Sequence, residues 1–116
     1  MTRAGDALGR IGDGVGVGTL RKALADGDRA TQVWAIRSLG QLGDRESIGL
    51  LIDRLGDEDS SDRVRRAAAA ALAKLGDSVA LDPVRRAHEE ATGFTRRRIG
   101  HALRELERVN EQFCPR

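Results

Sequence analysis

Four stretches of the chain follow one pattern, and the interval between them limits the fold more than anything else in the sequence. Leu8-Gly9-Arg10-Ile11-Gly12-Asp13, Leu39-Gly40-Gln41-Leu42-Gly43-Asp44 and Leu72-Ala73-Lys74-Leu75-Gly76-Asp77 share the motif, and Leu103-Arg104-Glu105-Leu106 repeats its first half. Their leading leucines are 31, 33 and 31 residues apart. A period in this range belongs to arrays of supersecondary units stacked side by side. A second pattern recurs in register between the motifs: Val17, Ile48 and Leu81; Leu20, Leu51 and Val84; Leu24, Leu55 and, in the leucine position of the third unit, His88. The two extra residues of the middle interval fall in the Asp, Glu and Ser stretch 57–62, which reads as a loop.

Within a unit the apolar spacing is that of a helix. Thr31, Ala35, Ser38, Leu39 and Leu42 lie at i, i+4, i+7, i+8 and i+11, and Val64, Ala68, Ala71, Leu72 and Leu75 repeat the arrangement. Gly43-Asp44 and Gly76-Asp77 supply glycine stops, after which Ile48, Leu51, Ile52 and Leu55 open a second amphipathic helix. Each unit therefore reads as a hairpin of a first (A) and a second (B) helix. A helices are predicted at about 2–11, 29–42, 62–75 and 94–109, and B helices at about 17–25, 46–55 and 79–91, with ends uncertain by ~2–4 residues. Pro83 falls near the start of its B helix, where a missing N–H is tolerated. Small residues at Ala35, Ser38, Ala68 and Ala71 allow helices to approach closely.

These features predict an all-α fold, a short right-handed α-solenoid of about three and a half hairpins. One domain, 1–116, is expected, with units at about 1–28, 29–61, 62–92 and 93–109 and a C-terminal tail, 110–116, in which Phe113 could cover the last apolar face. Composition agrees with helix on helix: only Trp34, Phe94 and Phe113 are aromatic, so the core must be built from small aliphatic side chains. A hydrophobic fraction of 40% and a formal net charge of +2 exclude the composition of a disordered chain.

The acids ahead of the A helices complete a known pattern. Asp59, Val64 and Arg65 set an acid five residues before a Val-Arg pair; Glu90, Thr95 and Arg96 match with substitutions; Asp26, Thr31 and Gln32 keep the acid and lose the arginine. With the Leu-Gly-x-Leu-Gly-Asp ends, this resembles HEAT repeats of the phycobilisome-lyase-like kind, over about residues 2–106. The resemblance implies a superhelix with A helices on its convex side and B helices on its concave side, where partners dock. It also implies a structural ladder in which Asp26, Gln32, Asp59, Arg65, Glu90 and Arg96 tie adjacent units. Some members attach or remove open-chain tetrapyrroles. At about three and a half units, with no additional domain expected, the resemblance implies scaffolding more strongly than catalysis.

The remaining chemistry is sparse. The run Gly12-Asp13-Gly14-Val15-Gly16-Val17-Gly18 misses the G-x-G-x-x-G spacing, follows no strand and lacks Gly-Lys-Ser/Thr, so it reads as an interhelical turn. With six glycines in 5–18, the first unit should be the weakest. His88, His101 and Cys114 have no metal-ligand spacing, and no Ser, His and Asp set stands out. No catalytic residue, metal or cofactor is therefore assigned, and the chain is expected not to be an enzyme. Trp34 flanks the apolar stripe of its A helix and is expected to fill a groove between neighbours.

Charge is unevenly distributed. Residues 1–60 hold 8 Lys and Arg against 10 Asp and Glu, and residues 61–116 hold 12 against 8. The clusters Arg63, Arg65 and Arg66, then Arg85 and Arg86, then Arg96, Arg97 and Arg98 give a nucleic-acid-binding alternative. Interleaved glutamates and the lack of an accompanying aromatic platform weigh against it. The primary expectation is a protein partner on the concave face, at Arg21, Lys22, Asp53, Arg85, Arg86 and Glu89, with a bilin lyase or chaperone-like subunit as a further alternative. A monomer or weak homodimer is expected. The longest apolar run, Ala67 to Ala73, is too short for a bilayer, the N-terminus lacks the apolar centre of a secretory signal, and one Cys forms no internal disulfide. A cytoplasmic setting is the expectation.

Overall fold

The computed structural model describes residues 14–57 and 61–112. Six α-helices occupy them: α1 Gly14–Asp26, α2 Arg29–Leu42, α3 Ile48–Gly56, α4 Asp62–Leu75, α5 Leu81–Glu90 and α6 Gly93–Gln112. No strand occurs among the described residues. The A helix predicted at 2–11, Asp59, and the tail residues Phe113 and Cys114 lie outside them. α2 and α4 begin and end where the apolar spacing places them. α3 and α5 start later than predicted, because the short 3-10 turns Arg45–Ser47 and Ser78–Ala80 precede them.

The glycine run departs from expectation. Gly14, Gly16 and Gly18 are helical, not part of a turn, and α1 extends through them to Asp26. Glycine is a poor helix former, but tertiary burial overrides that preference. Leu20 and Leu24 are fully buried, Gly16 is buried and Val17 packs on the core, so the helix is held from its apolar side.

The ends are set by side chains and glycines. The Asp28 carboxylate accepts from the Thr31 N–H at 2.9 Å and caps α2, and the Ser61 hydroxyl accepts from the Val64 N–H at 3.2 Å and caps α4. At the far ends Gly43 (φ 72°) and Gly76 (φ 69°) take the left-handed conformation that closes a helix and re-aims the chain. Hydrogen bonds from Gly43 N–H to Gly40 and from Asp44 N–H to Leu39 satisfy the last carbonyls of α2.

The A helices α2, α4 and α6 lie side by side in one layer, and the B helices α1, α3 and α5 form the second, with α3 against α5. Each B helix approaches most closely the A helix that follows it: α1 on α2, α3 on α4, α5 on α6. Leu20, Ile36, Leu39, Leu51, Leu72, Val84, Ile99 and Leu106 are fully buried between the layers. Burying a side chain of this size contributes roughly 1.5–3 kcal/mol, and every helix supplies at least one, so the layers cohere along their whole length. Trp34 is partly buried against this core.

At Gly40 the A helices approach closely. A Cβ there would fall 3.0 Å from the Ala71 Cβ and 3.1 Å from its Cα, so α2 and α4 meet backbone to backbone. This explains a glycine in the middle of a helix, where it costs about 0.5–1 kcal/mol relative to Ala.

Candidate interaction surfaces

The B layer carries the first surface. On α1, Arg21 turns toward the next unit. Its Nη2 donates to Asp44 Oδ2 at 2.9 Å and to Glu46 Oε1 at 3.0 Å, and its Nε donates to the buried Ser47 hydroxyl at 3.2 Å. Ser47 in turn donates to Asp44. Burial pushes the Asp44 carboxyl up, but the hydrogen bonds from Ser47 and Arg21 outweigh it and hold the group below its ordinary value. The hydrogen bonds that Arg21 donates to Asp44 and Glu46 raise its own pKa. Arg21 is thus a clasp between units.

Other predicted residues of this face are similarly engaged. Lys22 pairs with Asp26 at 3.5 Å, and Arg85 bridges Asp82 at 3.1 Å and Glu107 of α6 at 3.4 Å. Asp53, Arg86 and Glu89 are exposed and enter no ion pair among the described residues. Of the residues predicted for this face, these are the freely presented charges.

The residues of the implied ladder flank the turns ahead of α2, α4 and α6, and no acid–arginine pair joins them among the described residues. Gln32 Nε2 donates to the Gly27 carbonyl at 2.9 Å, and Arg65 Nη2 donates to the Asp57 carbonyl at 2.9 Å. Both side chains therefore hold the turn ahead of their own helix by its backbone. The Arg65 Nε is buried without a hydrogen-bond partner. Asp26 faces Lys22, while Glu90 and Arg96 are exposed at the α5–α6 junction. Arg45 adds a tie the spacing did not foretell, reaching Asp77 of the next unit at 3.4 Å.

The A layer carries a second surface, where two of the arginine clusters noted in the sequence converge with Arg37 and Phe94. Arg63 and Arg66 of α4, Arg98 of α6 and Arg37 of α2 surround a hollow of about 290 Å³ with Phe94 at its edge. Phe94 is 58% exposed. Arg66 and Arg98 stand over its ring at 5.0 and 5.9 Å, so an aromatic platform does accompany these arginines. Arg66 also donates to Thr95 at 3.2 Å. A larger hollow of about 490 Å³ between α4 and α6 shares Arg66, Ala70 and Arg98 with the first and continues past Lys74 to Val109. What brings these groups together is the side-by-side A layer: residues 37, 63 and 98 are distant in sequence and meet only when three units stack.

His88 and His101 do not come together as a site. His88 packs against Gly100, and His101 lines the larger hollow. No group of three or more His, Cys, Asp or Glu capable of holding a metal occurs among the described residues. No helix of the described residues is long and apolar enough to cross a membrane.

Comparison with known proteins places this architecture. The structure is similar to that of human deoxyhypusine hydroxylase in complex with glycerol, with a TM-score of 0.83 and 24% sequence identity over 98% of this chain. The chain spans 40% of the length of that hydroxylase, and at this identity the likeness shows the fold. No curated protein sequence matches at a significant level. A family profile described as HEAT repeats matches residues 2–63 and 17–104, nearly the whole chain. The motif period, the two stacked helical layers and the profile agree, and the chain belongs to the HEAT-repeat family.

Proposed function

We propose that the chain is a non-catalytic interaction scaffold that holds a protein partner against its B-helix row. Stacked repeats create extended surfaces, and proteins built this way commonly use them for binding. The observation that carries the reading is the contrast along that row: Arg21, Lys22 and Arg85 are held in ion pairs within the chain, while Asp53, Arg86 and Glu89 are exposed without one among the described residues. Arg21 and Arg85 tie their helices to a neighbouring unit, and Lys22 is engaged within its own helix. The free ones, of both signs, are available to a partner and would select it by charge pattern.

Affinity capture from native lysate with the unaltered chain and with an Arg86→Glu, Glu89→Lys variant tests this. The proposal expects a protein captured by the first and lost with the second. Equal recovery by both would refute the placement on the B row. Capture of no protein, together with turnover of any substrate, would refute scaffolding itself.

A further inference from the structure

We propose that the trough along the A layer is a second docking surface, which takes an acidic amphipathic helix of a protein partner. The inference is independent of the B-row reading, since it rests on the opposite layer and on different residues.

The trough has two properties that belong together. Its floor is apolar and shallow: Ala70 and Ala73 of α4 and Ala102 and Val109 of α6 line the larger hollow. Its rim is basic: Arg37, Arg63, Arg66, Arg98 and Lys74 stand along it, and none of the five pairs with a carboxylate among the described residues. The carboxylate on the lining is Glu105, and Arg108 already holds it. Arg45, at the far end, is paired with Asp77.

On α4 the rim and floor residues Arg63, Arg66, Ala70 and Lys74 fall at i, i+3, i+7 and i+11, one stripe down the helix. That stripe runs ~16 Å, about three helical turns. An added helix lying between α4 and α6 would set small apolar side chains on the alanines, where the absence of long side chains permits close approach. Its flanking carboxylates would then meet the arginines on either side, in the manner of helix-in-groove recognition. The Arg66 and Arg98 guanidinium groups are already ordered over the Phe94 ring, so less freedom is lost when they bind a carboxylate.

Charge alone would also attract nucleic acid. A phosphate backbone, however, gains nothing from an alanine floor, and both arginines nearest Phe94 stand over the ring on which a base would stack. The apolar floor decides for a protein segment.

The test is fluorescence anisotropy with three labelled probes: a helical peptide of about four turns (~14 residues) with leucines along one stripe and glutamates elsewhere, a scrambled peptide of the same composition, and a single-stranded oligodeoxythymidine of similar length. The proposal expects the striped peptide to bind at least about tenfold more tightly than either other probe at moderate salt. Arg63→Glu with Arg98→Glu should weaken it by about tenfold or more, while Arg97→Glu with Arg104→Glu, an equal change of net charge at a separate hollow, should alter it little. Circular dichroism melts of both variants confirm that they are folded. Ala70→Leu, which fills the floor and leaves every charge in place, should weaken the peptide selectively. Equal binding of the scrambled peptide, tighter binding of the oligonucleotide, equal loss in both charge variants, or no binding of the striped peptide at low salt would each overturn the proposal.

Discussion

The imidazole of His88 lies against the bare backbone of Gly100: a Cβ on that glycine would fall 3.0 Å from Nε2. In the repeat register His88 stands where Leu24 and Leu55 stand in the earlier units, and Gly100 stands where Ile36 and Ala69 stand. A bulkier, stiffer ring on α5 is accommodated by emptying the facing position on α6. Gly100→Ala should therefore be destabilising in the unaltered chain and neutral or stabilising beside His88→Ala, where the helix gains roughly 0.5–1 kcal/mol from replacing glycine. Chemical denaturation of the two single variants and the double variant should give a coupling of about 0.5–2 kcal/mol. Additive effects would show that the two positions are independent.

Gly40 makes the opposite prediction, because no side chain can be trimmed to relieve it. The atoms that an added methyl meets belong to Ala71, and one of them is its Cα. Gly40→Ala should lower stability by about 1 kcal/mol net, since separating α2 from α4 outweighs the gain in helix propensity. Gly49, with open space around it, should become more stable by a few tenths to about 1 kcal/mol on the same change. Thermal melts of the two variants in parallel distinguish packing from propensity.

The Arg21 clasp should be visible in acid. Asp44 and Asp28 both titrate below the ordinary carboxylate value of 3.8 in the folded chain, Asp44 through Ser47 and Arg21 against the opposing effect of burial, Asp28 through the Thr31 N–H and hydroxyl. A depressed carboxylate binds its proton more readily when unfolded. Its contribution is therefore fully present above the ordinary value and lost as pH falls through the folded one. Stability should accordingly drop below about pH 4, and Asp44→Asn should flatten that drop. Ser47→Ala, which removes a fully buried hydroxyl that both accepts and donates, should cost about 1 kcal/mol.

Leu72 is fully buried in α4, the helix that contacts both α2 and α6. Leu72→Ala should cost about 2–5 kcal/mol, and in a stack sustained by neighbours that loss should loosen both sides. Hydrogen exchange should speed up in α2 and α6 together. An effect confined to α4 would show that the units are coupled more weakly than their packing implies.

What was legible in the sequence was whatever repeats. Leu39, Leu72 and their register partners gave the helices and their order, and Gly43 and Gly76 gave the stops. Three kinds of feature were not legible. The glycines of α1 argued locally for a turn, and only burial of Leu20 and Leu24 explains a helix through them. The 3-10 turn before α5 is capped by Asp77 accepting from the Val79 N–H at 3.0 Å, and the one before α3 is closed by Ser47 donating to Asp44, which apolar spacing does not register. The trough around Phe94 is assembled from residues 37, 63, 66 and 98, whose nearness comes from lateral stacking and not from sequence distance. The ladder arginine illustrates the same limit. Spacing puts Arg65 beside the preceding turn, but it does not say that the acceptor there is the Asp57 carbonyl.

The preference of each B helix for the following A helix has a consequence for how such an array can be lengthened or cut. The motif is written A then B, whereas each B helix finds its closest partner in the A helix that follows. A break after Leu75 parts α6 from α4 but leaves α1 with α2, α3 with α4 and α5 with α6, so every B helix keeps the A helix that backs it. A break after Glu90 strands α5 without the helix that backs it. Evolution by duplication would meet the same arithmetic: a copied segment brings each B helix together with the A helix that backs it when it begins on the second helix of one hairpin and finishes on the first helix of the next.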